Sequence, residues 1–394
     1  MADQKSKTNG RSKKALRFTH IYMENWRNFN RVDVDLQRRV FLVGPNASGK
    51  SNFLDALRFL REIAIPGGGL VAAVHRRGGI SRLRCLAARR YPDVVLGVRL
   101  GTEETPAVWE YELSLKQDSK SRPIVERERV AHQGREVLVR PQAEDKADTE
   151  RLTQTYLEQV IVNESFRDVA EFLGSVRYLH IVPQLIREPD RSVGRQNDPY
   201  GGDFLEQIAS RSDKTREAWL GRIQRALQVA VPQLEELRLE RDPKRGTPHL
   251  HGKYVHWRPQ GAWQSEGEFS DGTLRLMGLL WAILEGTGPL LLEEPELSLH
   301  PEVVRFLPQM FAGMQRRVGR QVIASTHSGD LLRDEGIALD EVLLLKPEKE
   351  GTSVHAAGEF DEIRTLLDAG LTLDEAVIPR TRPESAYQLA LFGE

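Results

Sequence analysis

The chain has 394 residues, 56 Lys+Arg against 57 Asp+Glu, and a formal net charge of −1. That length accommodates two or three domains, and a 40% hydrophobic content is enough for a sizeable core, which excludes a disordered chain. No apolar run approaches the roughly 18–20 residues a membrane span needs. The start, Met1-Ala2-Asp3-Gln4-Lys5, has no apolar signal region, and the single cysteine, Cys85, excludes an internal disulfide framework or a Cys-rich zinc site. A soluble, cytoplasmic protein with no membrane partner is expected.

In chain order, residues 1–15 read as a disordered basic arm; residues 1–17 carry six basic side chains against Asp3. Leu16–Tyr22 and Val32–Leu36 alternate as strands, and Val40-Phe41-Leu42-Val43 is a continuous apolar run of the kind buried on both faces. It leads into Gly44-Pro45-Asn46-Ala47-Ser48-Gly49-Lys50-Ser51, after which Phe53, Leu54, Leu57, Leu60 and Ile63 recur at helical spacing. Eight arginines against one glutamate follow over 58–90, and Arg76, Arg77, Arg82 and Arg84 are candidates for contact with nucleic acid or a partner; arginines paired inside the fold are the alternative. Residues 93–139 read as an antiparallel meander, 145–174 as helical, Val176–Val182 as a strand, 189–202 as a loop, and 204–231 as one long amphipathic helix. A strand pair is expected near 237–257, with helix and strand alternating from 273 to about 347. His249, His251 and His256 on that pair read as a solvated strand face rather than a metal site. Such alternation predicts an α/β domain with a mainly parallel core sheet.

Gly44 through Ser51 fits G-x-x-x-x-G-K-[ST] between a buried strand and an amphipathic helix. In that setting backbone N–H groups cradle phosphates at a helix N-terminus, Lys50 reaches the terminal phosphates, and the Ser51 hydroxyl holds Mg²⁺. Pro289-Leu290-Leu291-Leu292-Glu293-Glu294 is an apolar strand ending in two acids. Glu293 stands where an aspartate of the metal shell is usual, and Glu294 is placed to polarise an attacking water. The cofactors expected are ATP and Mg²⁺.

Phe269-Ser270-Asp271-Gly272-Thr273 opens a helix before that strand and resembles the signature of ABC ATPases, which implies that Ser270 and Gly272 bind the γ-phosphate in trans. Val322–Ser328 resembles the ABC strand that ends in the switch histidine, here His327, and Tyr178–Gln184 resembles the approach to the Q-loop, with Gln184 near Mg²⁺ and water. Met23-Glu24-Asn25-Trp26-Arg27-Asn28-Phe29, the Gly-x-Asn-x-Ser-Gly-Lys-Ser form of the P-loop, and Glu294-Pro295-Glu296-Leu297-Ser298-Leu299-His300-Pro301 together resemble RecF/SMC/OLD-like ATPases. The resemblance implies nucleotide contacts from Gly44, Asn46, Ala47, Ser48, Gly49, Lys50, Ser51 and Asn52, and a D-loop at Leu299 and His300. It also implies a head-to-head homodimer clamping two ATP molecules and hydrolysing them slowly.

The fold class expected is therefore α/β: a P-loop NTPase of ABC type, with a mixed core sheet, an antiparallel β subdomain and a helical insertion. Expected divisions are a first lobe half over 16–140, an insertion over 141–268, a second half over 269–357, and an acidic helical tail with a terminal peptide over 358–394. Residues 52–268 hold too little heptad sequence for a long coiled-coil arm, and the 67 residues after His327 (394 minus 327) are too few for a Toprim nuclease domain. The expected work is DNA maintenance or anti-phage defence, acting on DNA or on a separately encoded effector; a sensor ATPase that holds a toxin or nuclease without touching DNA is the alternative. The last residues, Gln388-Leu389-Ala390-Leu391-Phe392, resemble the peptide that docks on the bacterial sliding clamp through Gln388, Leu389, Leu391 and Phe392. A terminal turn packing on its own domain is the other reading.

Overall fold

The computed structural model describes residues 16–88, 93–192, 198–256, 262–382 and 388. The basic arm, Arg89 and Arg90, and Leu389, Leu391 and Phe392 of the terminal peptide lie outside the described residues; Gln388 is exposed.

Strands β1 (Arg17–Trp26), β2 (Phe29–Asp35) and β3 (Arg39–Val43) open the fold, and a helix over Lys50–Ala64 follows. The meander is β4 (Val94–Gly101), β5 (Trp109–Gln117), β6 (Pro123–His132) and β7 (Arg135–Arg140). With β1 and β2 it makes one antiparallel sheet, ordered β2-β1-β4-β5-β6-β7. Next come β8 (Arg177–Leu179) and a small sheet of β9 (Leu234–Arg241), β10 (Pro248–Tyr254) and β11 (Ala262–Ser265). The last four strands are β12 (Leu290–Glu293), β13 (Val322–Thr326), β14 (Val342–Glu348) and β15 (Gly351–Ala356). They join β3 and β8 in a core sheet ordered β15-β14-β3-β13-β12-β8, parallel except for β15.

The apolar runs of this core sheet are continuous because both faces are covered. Val40, Leu42, Leu291 and Ile323 point into a core shared with the Lys50–Ala64 helix and the antiparallel sheet. Phe41, Val43, Leu290, Leu292 and Ala324 point the other way, onto the helix Leu307–Val318 and the helical segment Asp361–Asp368. A third core joins helix Asp271–Leu284 to helices Phe204–Ala209 and Asp213–Ala230 and to the small sheet.

Three elements differ from the sequence-based expectation. Residues 145–174 do not form one helix: short turns precede a helix confined to Arg167–Ser175. Buried ions capture the backbone there. Glu128 accepts from the N–H groups of Tyr156 and Leu157 at 2.8 and 3.1 Å, while Arg140 donates to the carbonyls of Arg151 and Gln154 at 3.0 and 2.8 Å. The expected helix over 204–231 breaks at Ser210–Ser212, where Ser212 precedes the new helix and Asp213 sits in its first turn, a favourable charge at a helix start. The strand expected over 176–182 stops at Leu179, because the N–H groups of His180 and Val182 bond to the carbonyls of Pro199 and Tyr200 instead. A third strand, β11, extends the expected pair.

Candidate nucleotide site

Parallel pairing puts the carboxyl ends of β3, β13, β12 and β8 at one edge, where open α/β sheets bind ligands. The loop 44–49 leaves β3 with Ala47 at φ 61° and Gly49 at φ 98°, then enters the helix at Lys50. A Cβ at Gly49 would collide with the Asn28 amide, so glycine is required both by conformation and by space. Asn28 ties the loop down, donating to Ser48 O at 3.0 Å and accepting from Asn52 Nδ2 at 2.7 Å. Ser48 Oγ is buried without a partner.

Lys50 curls over the loop it follows. Its Nζ donates to the carbonyls of Gly44 and Pro45 at 2.9 and 3.0 Å, and lies 3.5 Å from His327 Nδ1. Burial lowers the ammonium pKa to about 8, against the opposing pull of Glu294, Glu296 and Glu293. On its other side, His327 Nε2 lies 2.9 Å from Glu294 Oε1 and donates to it. That hydrogen bond is the main reason the Glu294 carboxyl sits below its ordinary pKa, so the group is a carboxylate at neutral pH. Glu294 itself takes φ 44° and is held by its N–H to Ser325 O and Oγ at 3.1 and 3.2 Å.

Ser51 Oγ donates to one oxygen of Glu293 and the Tyr178 hydroxyl donates to the other. Burial and the Glu293 charge both push the Tyr178 pKa up, which keeps the phenol protonated as a donor. The longer glutamate therefore still spans from the end of β12 to the P-loop serine. These groups line a cleft of about 480 Å³ that also includes Arg27, Asn52 and His180.

Lys50, Ser51, Glu293, Glu294 and His327, expected from the sequence, are placed together by the fold. Gln184 is not among them: it is exposed on the single helical turn Pro183–Ile186, and Tyr178 and His180 occupy the approach to Glu293. Ser270 caps its helix, accepting from Thr273 N at 3.1 Å, and its hydrogen bonds stay local. Gly272 packs against the Ser298 carbonyl, so the turn at Ser270–Gly272 lies against the loop bearing Leu299 and His300. Arg77 needs correction as a surface candidate. It is buried against Asp55 and Glu62 with contacts of 2.7 Å, whereas Arg76 and Arg82 are exposed and Arg84 is half-buried. Two contributors were missed. Glu296 is buried and accepts from Thr326 Oγ1 at 2.6 Å and from His327 N at 3.1 Å, fixing the histidine turn; its place in Glu-Pro-Glu was the available signal. Tyr178 had none, because its partner is 115 residues away.

The fold and this edge constellation define an ABC-type P-loop ATPase of the RecF, SMC and OLD kind. The chain belongs to the family described as "AAA domain, putative AbiEii toxin, Type IV TA system", whose model matches residues 39–334. It is 44% identical over 47 residues to Endonuclease GajA of Bacillus cereus (strain VD045), a stretch covering 12% of this chain and 8% of that protein. It is 40% identical over 52 residues to the DNA replication and repair protein RecF of Roseiflexus castenholzii (strain DSM 13941 / HLO8), covering 13% of each. The matches thus span only a small part of these curated relatives. Among solved structures, the Smc head bound to the C-winged helix domain of ScpA superposes with a TM-score of 0.53 at 13% identity, over 86% of this chain and 96% of that one. The Smc head domain with a coiled coil and joint from Pyrococcus yayanosii gives 0.50 at 12% identity, over 91% and 100%. These likenesses show the fold alone.

Proposed function

We propose that the chain binds and hydrolyses Mg²⁺-ATP and that ATP joins two copies head to head. The observation that carries this reading is the convergence of Lys50, Ser51, Glu293, Glu294 and His327 at one sheet edge. The residues fit the group: the P-loop backbone and Lys50 offer donors to phosphate, and Ser51 and Glu293 bring two oxygen ligands to one point, as a small divalent cation requires. Bound there, Mg²⁺ would neutralise charge on the phosphates. Glu294, kept ionised by His327, accepts a proton from the attacking water, while His327 holds the carboxylate in place and faces Lys50. Lys50 releases its two loop carbonyls in exchange for phosphate oxygens.

Ser270 and Gly272, turned to local contacts and the 294–300 loop, complete the site of a second copy through the surface that carries Leu299 and His300. Output is mechanical: closure on ATP, opening on hydrolysis, acting on DNA or on a separately encoded effector. The chain's likeness to an endonuclease and to a DNA replication and repair protein supports DNA, as do Arg82 and Arg84, which line an open groove beside Asn28 and Asn52. Glu294→Gln lowers turnover by about 10²–10⁴-fold and accumulates an ATP-bound dimer, read by sedimentation. A monomer at saturating ATP sinks the dimer reading.

A further inference from the structure

Behind the P-loop helix lies a second cavity, of about 290 Å³, walled by that helix, β8, helix Asp271–Leu284 and the segment around Phe204. It adjoins the nucleotide cleft, sharing Arg58, Glu62, Arg76 and Tyr178 with it, but Lys50, Ser51 and Glu294 do not line it. Five arginines face it (Arg58, Arg61, Arg76, Arg177 and Arg320) against three carboxylates (Glu62, Asp198 and Glu285), a formal excess of two positive charges.

The carboxylates are already committed. Glu62 is shared by Arg58 at 2.9 Å, Arg76 at 3.3 Å and Arg77 at 2.7 Å. Glu285 is shared by Arg177 at 3.5 Å and Arg211, and Asp198 accepts from Tyr200 N at 3.0 Å. Arg320 is 1% exposed and makes no ion pair among the described residues. Its guanidinium meets only the carbonyls of Gly288, Glu285 and Ala282, and its Nη2 has no partner. Arg61 Nε and Trp281 Nε1 are also buried without partners, and Trp281 is 1% exposed. Burial and then the Arg177 charge lower the pKa of both Arg61 and Arg320, the latter to about 10, so these guanidiniums lie close enough to repel one another. Glu62 and Glu285 offset part of that repulsion, but each is shared among several arginines, and the donors of Arg61, Trp281 and Arg320 that stay unmatched around one cavity mark a missing anionic acceptor. Trp281, Phe204 and Ile181 supply an apolar part of the remaining wall.

We propose that this cavity binds a phosphate-bearing small molecule, its phosphate among Arg61, Arg177 and Arg320 and any ring or carbon body against Trp281 and Phe204. The volume is near the lower end of ordinary ligand pockets, roughly 300–1,000 Å³, which suits a mononucleotide or smaller. Arg and planar donors match phosphate geometry. The inference goes beyond the ATPase reading and does not depend on it.

The test is calorimetric titration of the full chain carrying Lys50→Ala, which removes the main P-loop cation, with guanosine monophosphate in one arm and inorganic phosphate in the other. Saturable binding of one ligand per chain is expected, weakened about ten-fold or more by adding Arg61→Gln, the loss of one charged hydrogen bond. Arg61 makes no ion pair among the described residues, so its removal strands no carboxylate, and an unchanged melting temperature verifies the fold. Arg177→Gln, which leaves Glu285 with Arg211, serves as a second variant with the same expectation. Tighter binding of the monophosphate identifies an organic phosphate; equal binding identifies inorganic phosphate, and both support the site. No binding at millimolar ligand, or binding indifferent to Arg61→Gln and Arg177→Gln, overturns it.

Discussion

At the scale of single residues, Lys50 is the most informative group. Its side chain is buried and its pKa is lowered to about 8, below the unfolded value of 10.5, so between those limits the unfolded chain binds more protons and stability rises with pH. Nucleotide binding runs the other way, since phosphate needs the ammonium. Affinity for ATP should therefore fall as pH rises through about 8, by about ten-fold one unit above the pKa; a flat calorimetric profile from neutral to alkaline pH would refute this role. Lys50, Ser51, Glu293 and Glu294 were legible in the sequence because each follows a short local pattern, a strand running into a loop. Tyr178, Asn28 and the buried pairing of Arg77 were not, because their meaning comes from partners distant in the chain.

Among the elements, the start of helix Asp271–Leu284 shows how tightly the signature turn is fitted. Gly272 lies so close to the Ser298 carbonyl that an added Cβ would meet backbone, not a side chain that can swing away. Gly272→Ala should destabilise the fold by about 1–3 kcal/mol, seen as a lower denaturant midpoint, and should weaken ATP-dependent self-association. A variant as stable as the parent would show that the turn can shift at no cost. The same scale explains the misread segment 145–174. Apolar spacing there looks helical, yet Arg140, fully buried between Glu128 and Asp145 at 3.0 and 2.8 Å, takes the carbonyls that a continuous helix would have used. Periodicity cannot register a competitor for backbone hydrogen bonds supplied by a different strand.

For the whole molecule, three packed cores hold the core sheet, the antiparallel sheet and the helical side together around one ligand-binding edge. Among the described residues no helix is long and apolar enough to cross a membrane. If DNA lies along the face bearing Arg82 and Arg84, Arg82→Glu with Arg84→Glu should weaken binding to duplex DNA and reduce the log–log salt slope by about two. Unchanged, salt-dependent affinity would move the DNA surface elsewhere. Arg77 is unsuitable for that test, since it is buried and reversing it would set a third carboxylate against Asp55 and Glu62.

The 394 residues and their near-neutral charge say little about this work, and the chemistry was carried by short runs within them. By itself the sequence determined the ATPase class and singled out the loop 44–51, the acidic strand end and the histidine turn as the candidate site, because each is encoded by neighbours along the chain. Tertiary structure alone decided which arginines are surface and which are structural, that Tyr178 rather than Gln184 reaches Glu293, and that unmatched donors gather behind the P-loop helix. Those properties depend on charge balance and burial, which arise only when β8, the P-loop helix and the signature helix are brought within a side chain's reach of one another.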